Sequence, residues 1–370
     1  MRATRALIYL NNLGKNLDAV REKTGAHPEI CFSIKADAYG HGAVPMARFA
    51  LDNGAKSLAV AAVSEGAELR QAGIKSRILL LSQALPGEIR EIADLDLVPL
   101  ISDREIISAL AAASKPLEVH LKIDTGMGRL GCRPEEAAEL AAFIVKTKNL
   151  KLGGVATHLS VADSTEPSDI AYTAEQIALF RRTADSIRGA GIDPGQLHAA
   201  NSGAVCFHDN SFFDMVRPGL LLYGYPPCVI RPDRFPVMDL KPVMELRSAV
   251  VLIRRARAGE EISYGRTWKA PEDTFVGNIS MGYADGLPRL LSNRYSVQIN
   301  GKPYPVIGNI CMDQFMVNLG SSGEVKRWDE AIIFGPGFST AEDIAKKTGT
   351  ISYEILCNIN KRVPRVYVKL

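Results

Sequence analysis

Eight short apolar, β-branched stretches, each followed by a longer segment with helical spacing, constrain this chain more than any other feature. They are EICFSI (29–34), SLAVAA (57–62), RILLL (77–81), LVPLI (97–101), LEVHLKI (117–123), LGGVATHL (152–159), QLHAAN (196–201) and FDMVRPG (213–219). The helical segments include SEGAELRQAG, DREIISALAAAS, PEEAAELAAFIVKTK and TAEQIALFRRTADSIRGAG. The first three open on Ser, Asp and Pro, and AELRQAG closes on Gly, as helix starts and stops should. Strands alternating with helices form either a doubly wound sheet or a closed (β/α)8 barrel. Eight is the number that closes, and about 190 residues suffice for a compact barrel. No G-x-G-x-x-G opens the first unit, which argues against a dinucleotide-binding sheet. The expectation is an α/β chain with an N-terminal (β/α)8 TIM barrel over 11–230.

The texture changes after about residue 235. MELRSAVVLIRRARAGEEISYG, TFVGNISMGYADG, YSVQINGKPYPVIGNICMDQFMVNLG, WDEAIIFG and RVYVKL read as strands joined by Gly- and Pro-rich turns. Asn300-Gly301 is a hairpin signal, and one helix, TAEDIAKKTG (340–349), interrupts the strands. A second, mostly-β domain is expected over 231–370, with the N-terminal residues 1–10 added because RALIYL (5–10) reads as a strand lent to it.

A chain of 370 residues accommodates two such domains. Its net charge of +3, from 44 basic and 41 acidic residues, provides no field to recruit nucleic acid or an anionic membrane. The clusters RRARAG and NKRVPR read as solvated faces. The six cysteines, at 31, 132, 206, 228, 311 and 357, are scattered. That usage points to reduced thiols in a reducing compartment, with neither a disulfide framework nor a metal site. The N-terminal segment lacks the apolar core of a signal peptide, and no apolar run reaches the roughly 18 residues of a membrane span. A cytoplasmic protein is expected.

Barrel chemistry sits at the C-terminal ends of the strands. Those ends carry Lys35 and Tyr39 after the first strand and Arg129 in DTGMGRLG after the fifth. His158 ends the sixth, Asn201 and Ser202 follow the seventh, and Arg217 and Gly219 close the eighth. Each alone has a structural reading: a satisfied histidine, a strand-end charge, a helix cap. Together on one rim they suggest a site. The loops after the last two strands are a habitual phosphate site, and Gly203 and Gly219 let backbone N–H groups approach an anion. A phosphate at one side and a lysine at the other suggest pyridoxal 5'-phosphate, whose aldehyde is captured by a neutral lysine amine.

SIKADAYGHG, DTGMGRLG, THLSVAD, ANSGA, RPGLLLYG, ISYGRTW, GYADGLPR, CMDQFMV and ISYEI resemble, in order, the motifs of the bacterial alanine racemase family. The resemblance runs from residue 5 to 370. It implies a pyridoxal-phosphate enzyme that interconverts L-alanine and D-alanine and supplies peptidoglycan synthesis. It also implies a head-to-tail homodimer with shared active sites. Carried over by motif, Lys35 holds the cofactor as a Schiff base, and Tyr39, Ser202, Gly219, Leu220 and Tyr353 hold its phosphate. Arg217 faces the pyridine nitrogen, His158 lies beside the ring, and Arg129 places the phenolic oxygen and substrate carboxylate. Tyr264 and Met312 arrive from the other subunit, and Tyr283 narrows the entrance. Asn309 stands where the family often has arginine, so the departure touches the access corridor and not the chemical centre. The alternative is a racemase of another amino acid, serine or a broad set, separated only by pocket width.

Racemisation on this reading uses two bases, Lys35 and Tyr264, on opposite faces of Cα. A phenol titrates near 10, so a chain from Tyr264 through His158 to Arg217 is expected to favour phenolate. In LEVHLKID, alternation sends Val119, Leu121 and Ile123 outward and His120, Lys122 and Asp124 into the barrel. A buried lysine close to Arg129 is costly unless paired or neutral, with Asp124 one candidate partner. Many family members carry a carbamylated lysine at the matching place, so Lys122 is expected to be carbamylated.

Overall fold

The computed structural model describes residues 3–113, 115–227, 238–321 and 323–369. The chain forms two compact units: Leu13–Ala38 with Ala43–Leu240, and Met1–Asn12 with Tyr39–Gly42 and Lys241–Leu370. The boundary expected at 230/231, and Cys228, lie outside the described residues.

Strand β1 (Arg5–Tyr9) precedes the strands of the first unit: β2 (Glu29–Ser33), β3 (Ser57–Val60), β4 (Arg77–Leu80), β5 (Val98–Ile101), β6 (Leu117–Lys122), β7 (Leu150–Ala156), β8 (Gln196–His198) and β9 (Met215–Val216). Strands β2 to β9 form one eight-stranded parallel sheet in the order β8-β7-β6-β5-β4-β3-β2-β9. The return of β9 to β2, with Met215 opposite Glu29 and Val216 opposite Ile30, curls it into a barrel. The seam between β8 and β9 is bridged by backbone bonds on either side: Asp214 N–H to Leu197 O (3.1 Å) and Arg217 N–H to Ala200 O (2.8 Å). The interior is filled by Cys31, Ala59, Leu79, Val98, Leu100, Ala156 and Met215. Small and medium side chains suit a barrel this narrow, whose inside is a packed core.

Asp103 caps the helix Arg104–Leu110 by accepting from Ile106 N–H at 2.9 Å, as its place before the apolar run predicts. Ser64 does not cap: the helix Val63–Gln71 starts from Ala62, and the Glu65 carboxylate accepts from the Ala62 N–H at 3.2 Å. The helix expected over 173–191 starts earlier, at Pro167, where a proline is tolerated because a first-turn N–H has no intrahelical partner.

The second unit holds β1 and the strands β10 (Met244–Ala256), β11 (Glu261–Ile262), β12 (Trp268–Lys269), β13 (Thr274–Ile279), β14 (Ser296–Ile299), β15 (Lys302–Ile307), β16 (Phe315–Gly320), β17 (Glu330–Phe334) and β18 (Arg365–Val368). The long β10 pairs with β17 through its first half and β13 through its second, which closes a ring through β16, β15 and β14. Outside the ring, β1 pairs antiparallel with β10 and parallel with β18. Alternation along β1 buries Ala6 and Ile8 completely. Asn300 and Gly301, with φ of 51° and 77°, make the β14–β15 hairpin turn.

Two expectations need correction here. A second helix, Ser352–Cys357, follows Ala341–Thr348; it is only one and a half turns long, too short for its periodicity to register. NKRVPR is not simply a solvated face: Arg362 donates to Asp285 (2.7 Å) and Asp313 (2.7 Å), and Arg365 donates to Gly40 O (2.9 Å) and Ile359 O (2.6 Å). Asp285 is fully buried, so it needs that cation. The arginines of RRARAG do lie exposed, with Arg254 and Arg255 paired to Glu260 and Asp273, while Ala256 beside them is buried. No helix among the described residues is long and apolar enough to cross a membrane.

Because Ile8 is fully buried between β10 and β18, Ile8→Ala should lower stability by about 2–5 kcal/mol. Urea unfolding measures it; a loss below about 0.5 kcal/mol would mean that β1 frays like an ordinary terminus.

Candidate active site

Lys35 follows β2 and begins an unusual turn. Ala36, Asp37, Ala38 and Tyr39 all have φ between 49° and 53°, a left-handed turn without a glycine. Such a backbone costs roughly 1–2 kcal/mol per residue, so its surroundings must hold it. Glu65 accepts from Ala36 N–H at 2.6 Å and from Ala61 N–H at 2.7 Å, and Asp37 accepts from Ala43 N–H at 2.8 Å. The Ala38 N–H returns to Ile34 O at 2.8 Å. The half-buried lysine thus sits at the base of a braced segment.

Arg217, at the end of β9, is buried in the barrel. Its guanidinium donates to His198 Nδ1 (2.7 Å), Thr157 O (2.8 Å) and Ala199 O (3.2 Å). Burial lowers its pKa to about 10, which still leaves it charged near neutral pH. Among the described residues, no hydrogen bond joins Arg217 to His158; the histidine bonded to Arg217 is His198. His158, half-buried, nevertheless feels Arg217, Lys122, Arg129 and Lys35, and burial together with these cations holds it well below the ordinary histidine value. Those four cations therefore converge on one neighbourhood.

Lys122 is buried, as alternation along β6 predicts. Burial first, then Arg217 and Arg129, push its amine well below 10.5. Asp124 offsets this only in part. Its carboxylate accepts from Gly126 N–H (2.9 Å) and Gly128 N–H (3.0 Å), so it shapes the loop that carries the exposed Arg129 and is not Lys122's hydrogen-bond partner. Gly131 closes that loop at φ 132°, where any Cβ would strike the Asp124 backbone.

At the ends of β8 and β9, Ser202 Oγ accepts from Gly219 N–H at 2.9 Å. That bond uses a lone pair and leaves the hydroxyl proton to donate. Asn201 caps the Ser202–Phe207 helix through Ala204 N–H at 3.0 Å. Gly203 is excluded from bearing a side chain because a Cβ would lie 2.7 Å from Asp163 N, and Leu220 is fully buried.

The remaining expected residues belong to the second unit. Tyr39 and Tyr353 face each other with ring centroids 5.6 Å apart. Tyr264 is 74% exposed on a turn in which Ser263, Gly265 and Arg266 have positive φ. Asn309 holds that turn: its Nδ2 donates to Tyr264 O at 2.7 Å and its carbonyl accepts from Ser263 Oγ at 2.7 Å. Tyr283 and Met312 are exposed and lie on adjacent loops, joined by Tyr283 N–H to Cys311 O and Ala284 N–H to Met312 O, both 3.0 Å.

Sequence reasoning missed His198, Glu65 and Asp37. QLH is too short a strand for its alternation to flag His198, and nothing in ADAY signals a left-handed turn.

His158 and His198 carry a pH consequence. Both are held well below 6.5, burial being the first cause and Arg217 the second. Below pH 6.5 the unfolded chain takes up protons that the folded chain refuses, so stability is full above that value and is lost as pH falls. Each histidine should contribute up to roughly 1.4 kcal/mol per pH unit. Melting temperatures across this range should drop toward acid, and His198→Asn should flatten the slope; an unchanged slope would mean His198 accepts a proton in the fold.

Residues 8–227 match the family model for the alanine racemase N-terminal domain, and residues 243–367 match its C-terminal domain. The chain is 48% identical over 378 residues to an alanine racemase of Treponema denticola, covering 100% of this chain and 99% of that protein. It is 44% identical over 381 residues to one of Treponema pallidum, covering 100% of both. Its fold is similar to the solved alanine racemase of Clostridium difficile 630, with a TM-score of 0.94 at 36% identity, covering 100% of this chain and 96% of that one. With both units matched at this level, the chain belongs to the alanine racemase family.

Proposed function

We propose that this protein is a cytoplasmic alanine racemase that interconverts L-alanine and D-alanine with pyridoxal 5'-phosphate and supplies D-alanine for peptidoglycan. Its domains are read as 11–230 and 231–370, with residues 1–10 completing the latter. The observation that carries the reading is Arg217, a buried fixed cation bonded to a neutral histidine on the rim of a family-matched barrel.

The donor set fits the cofactor. Lys35, Lys122, Arg129 and Arg217 act on one neighbourhood, and the acid among them, Asp124, is engaged by backbone N–H groups. Such an excess of positive charge favours phosphate and carboxylate. Ser202 and the backbone at Gly219 and Leu220 would hold the phosphate, and the family resemblance adds Tyr39 and Tyr353. Arg217 would donate to the pyridine nitrogen and His158 would lie beside the ring. When bound, the cofactor supplies an aldehyde that captures amines and a ring that withdraws electrons from Cα.

The residues divide the remaining work. Lys35 Nζ would take or return the Cα proton on one face, and the Tyr264 hydroxyl of the other subunit would do so on the opposite face. Arg217 would donate a hydrogen bond to the ring nitrogen, and its own positive charge would disfavour a second proton there, so electron withdrawal would stay modest and return of the proton to Cα would be favoured over amine transfer. Arg129 and Met312 would place the substrate. Tyr283 would narrow an entrance suited to a small side chain.

Assembly as a homodimer is supported by Tyr264, Tyr283, Leu290 and Met312, large side chains left exposed on the second unit. Each site would combine Lys35 of one subunit with Tyr264 of the other. Lys122, whose amine burial and neighbouring cations hold well below its ordinary value, is suited to form a carbamate, whose negative charge would turn repulsion of Arg129 into attraction.

Purified protein should convert L-alanine to D-alanine, and Lys35→Ala and Tyr264→Phe should each lose at least about a hundredfold in rate. Co-refolding the two inactive variants should restore activity, because one site of the mixed dimer is intact. No D-alanine from the wild type would end the reading, and no recovery despite proven subunit exchange would end the shared site. For Lys122, labelling with ¹³C-bicarbonate should yield a carbamate carbon signal that Lys122→Arg abolishes; a spectrum without it near neutral pH would exclude the modification.

A further inference from the structure

Arg217 has a second partner line that leads away from the rim. Among the described residues no carboxylate pairs with it directly, an expensive state for a buried guanidinium. Its contact to His198 continues inward: His198 Nε2 lies 2.7 Å from His120 Nδ1, and His120 Nε2 faces Glu118 Oε1 across 3.5 Å, within ion-pair range but without a formed hydrogen bond. Both imidazoles are fully buried.

The protons on this line have only one arrangement. Arginine can only donate, so His198 Nδ1 must accept and its proton must sit on Nε2. That proton then points to His120 Nδ1, which must also accept, leaving the His120 proton on Nε2 and facing the Glu118 carboxylate. Burial keeps both rings neutral, as this order requires.

The barrel wall is cut to fit the line. On β7, Gly153 and Gly154 lie beside β6, and a Cβ on Gly153 would collide with the Glu118 side chain. A Cβ on Gly154 would fall 2.7 Å from the His120 ring. Arg77 (3.4 Å) and Lys151 (3.9 Å) hold Glu118 from its other side.

We propose that Glu118 and His120 are positioning residues for Arg217: the relay Glu118–His120–His198–Arg217 gives the buried guanidinium its counter-charge through two imidazoles of fixed tautomer. The role assigned to Arg217 rests on the proposed function; the relay itself does not. A carboxylate at the far end strengthens each acceptor in turn, ending with the one that Arg217 uses. Weakening it should let the guanidinium shift and should raise abortive transamination, in which the amino group passes to the cofactor aldehyde and alanine leaves as the keto acid.

The test uses cofactor-loaded protein labelled with ¹⁵N at its histidines. Wild-type His120 and His198 should both show a neutral ring protonated at Nε2. Glu118→Gln keeps an acceptor of the same size but removes the charge. It should leave the tautomers in place, move the His198 Nδ1 resonance, and raise keto acid formed per racemisation roughly three- to tenfold. Lys151→Gln, which breaks only the exposed contact of Glu118, should change neither. A proton on His198 Nδ1 in the wild type, or an unmoved His198 signal in Glu118→Gln, would overturn the relay. A moved signal with an unchanged product ratio would overturn the positioning role. A wild type that racemises nothing would defeat the proposed function alone, because the spectra need no turnover.

Discussion

A guanidinium inside a barrel cannot shed its charge, and the first unit is arranged around that constraint. Arg217 is surrounded by acceptors: two backbone carbonyls and a histidine that must be neutral to receive it. Burial, and then the same field, hold His158 and Lys122 well below their ordinary values. Its own backbone N–H helps bridge the last seam of the barrel, so the residue that carries the charge also sits at the point of closure.

Rigidity is spent where the backbone is least comfortable. Four consecutive left-handed residues after Lys35 persist because Glu65, Asp37 and Ile34 supply bonds that an extended strand would not use. The second unit repeats the device on a smaller scale at Tyr264, where Asn309 grips a strained turn from both its carbonyl and its amide. In each case the side chain of chemical interest is carried by backbone that has few alternative conformations.

Much of this was legible in the sequence, for identifiable reasons. Most barrel strands announce themselves as short apolar runs, and in the mixed β6 period-two alternation placed Lys122 on the inward face. β8 spans only Gln196–His198, too short for alternation to single out His198. Ala36–Tyr39 contains no glycine, so its handedness is imposed by residues distant in sequence, Glu65 above all. Arg362 reads as surface charge until Asp285 is found buried beside it. Motif resemblance supplied Tyr264 and Met312, which no local pattern could have selected, since both are exposed.

The placement of β1 sets an order of events during synthesis. Its neighbours are β10, and β18 at the other end of the chain. The barrel strands lie between them in sequence, and each finds its partners soon after leaving the ribosome, apart from β2, which waits for β9. A nascent chain can thus hold a nearly finished barrel while Arg5–Tyr9 is still an unpaired apolar edge. One side of that edge is open to pairing with a neighbouring nascent chain until β10 emerges, and the other until β18 does. Two arginines, Arg2 and Arg5, are then the charge this segment carries while it waits.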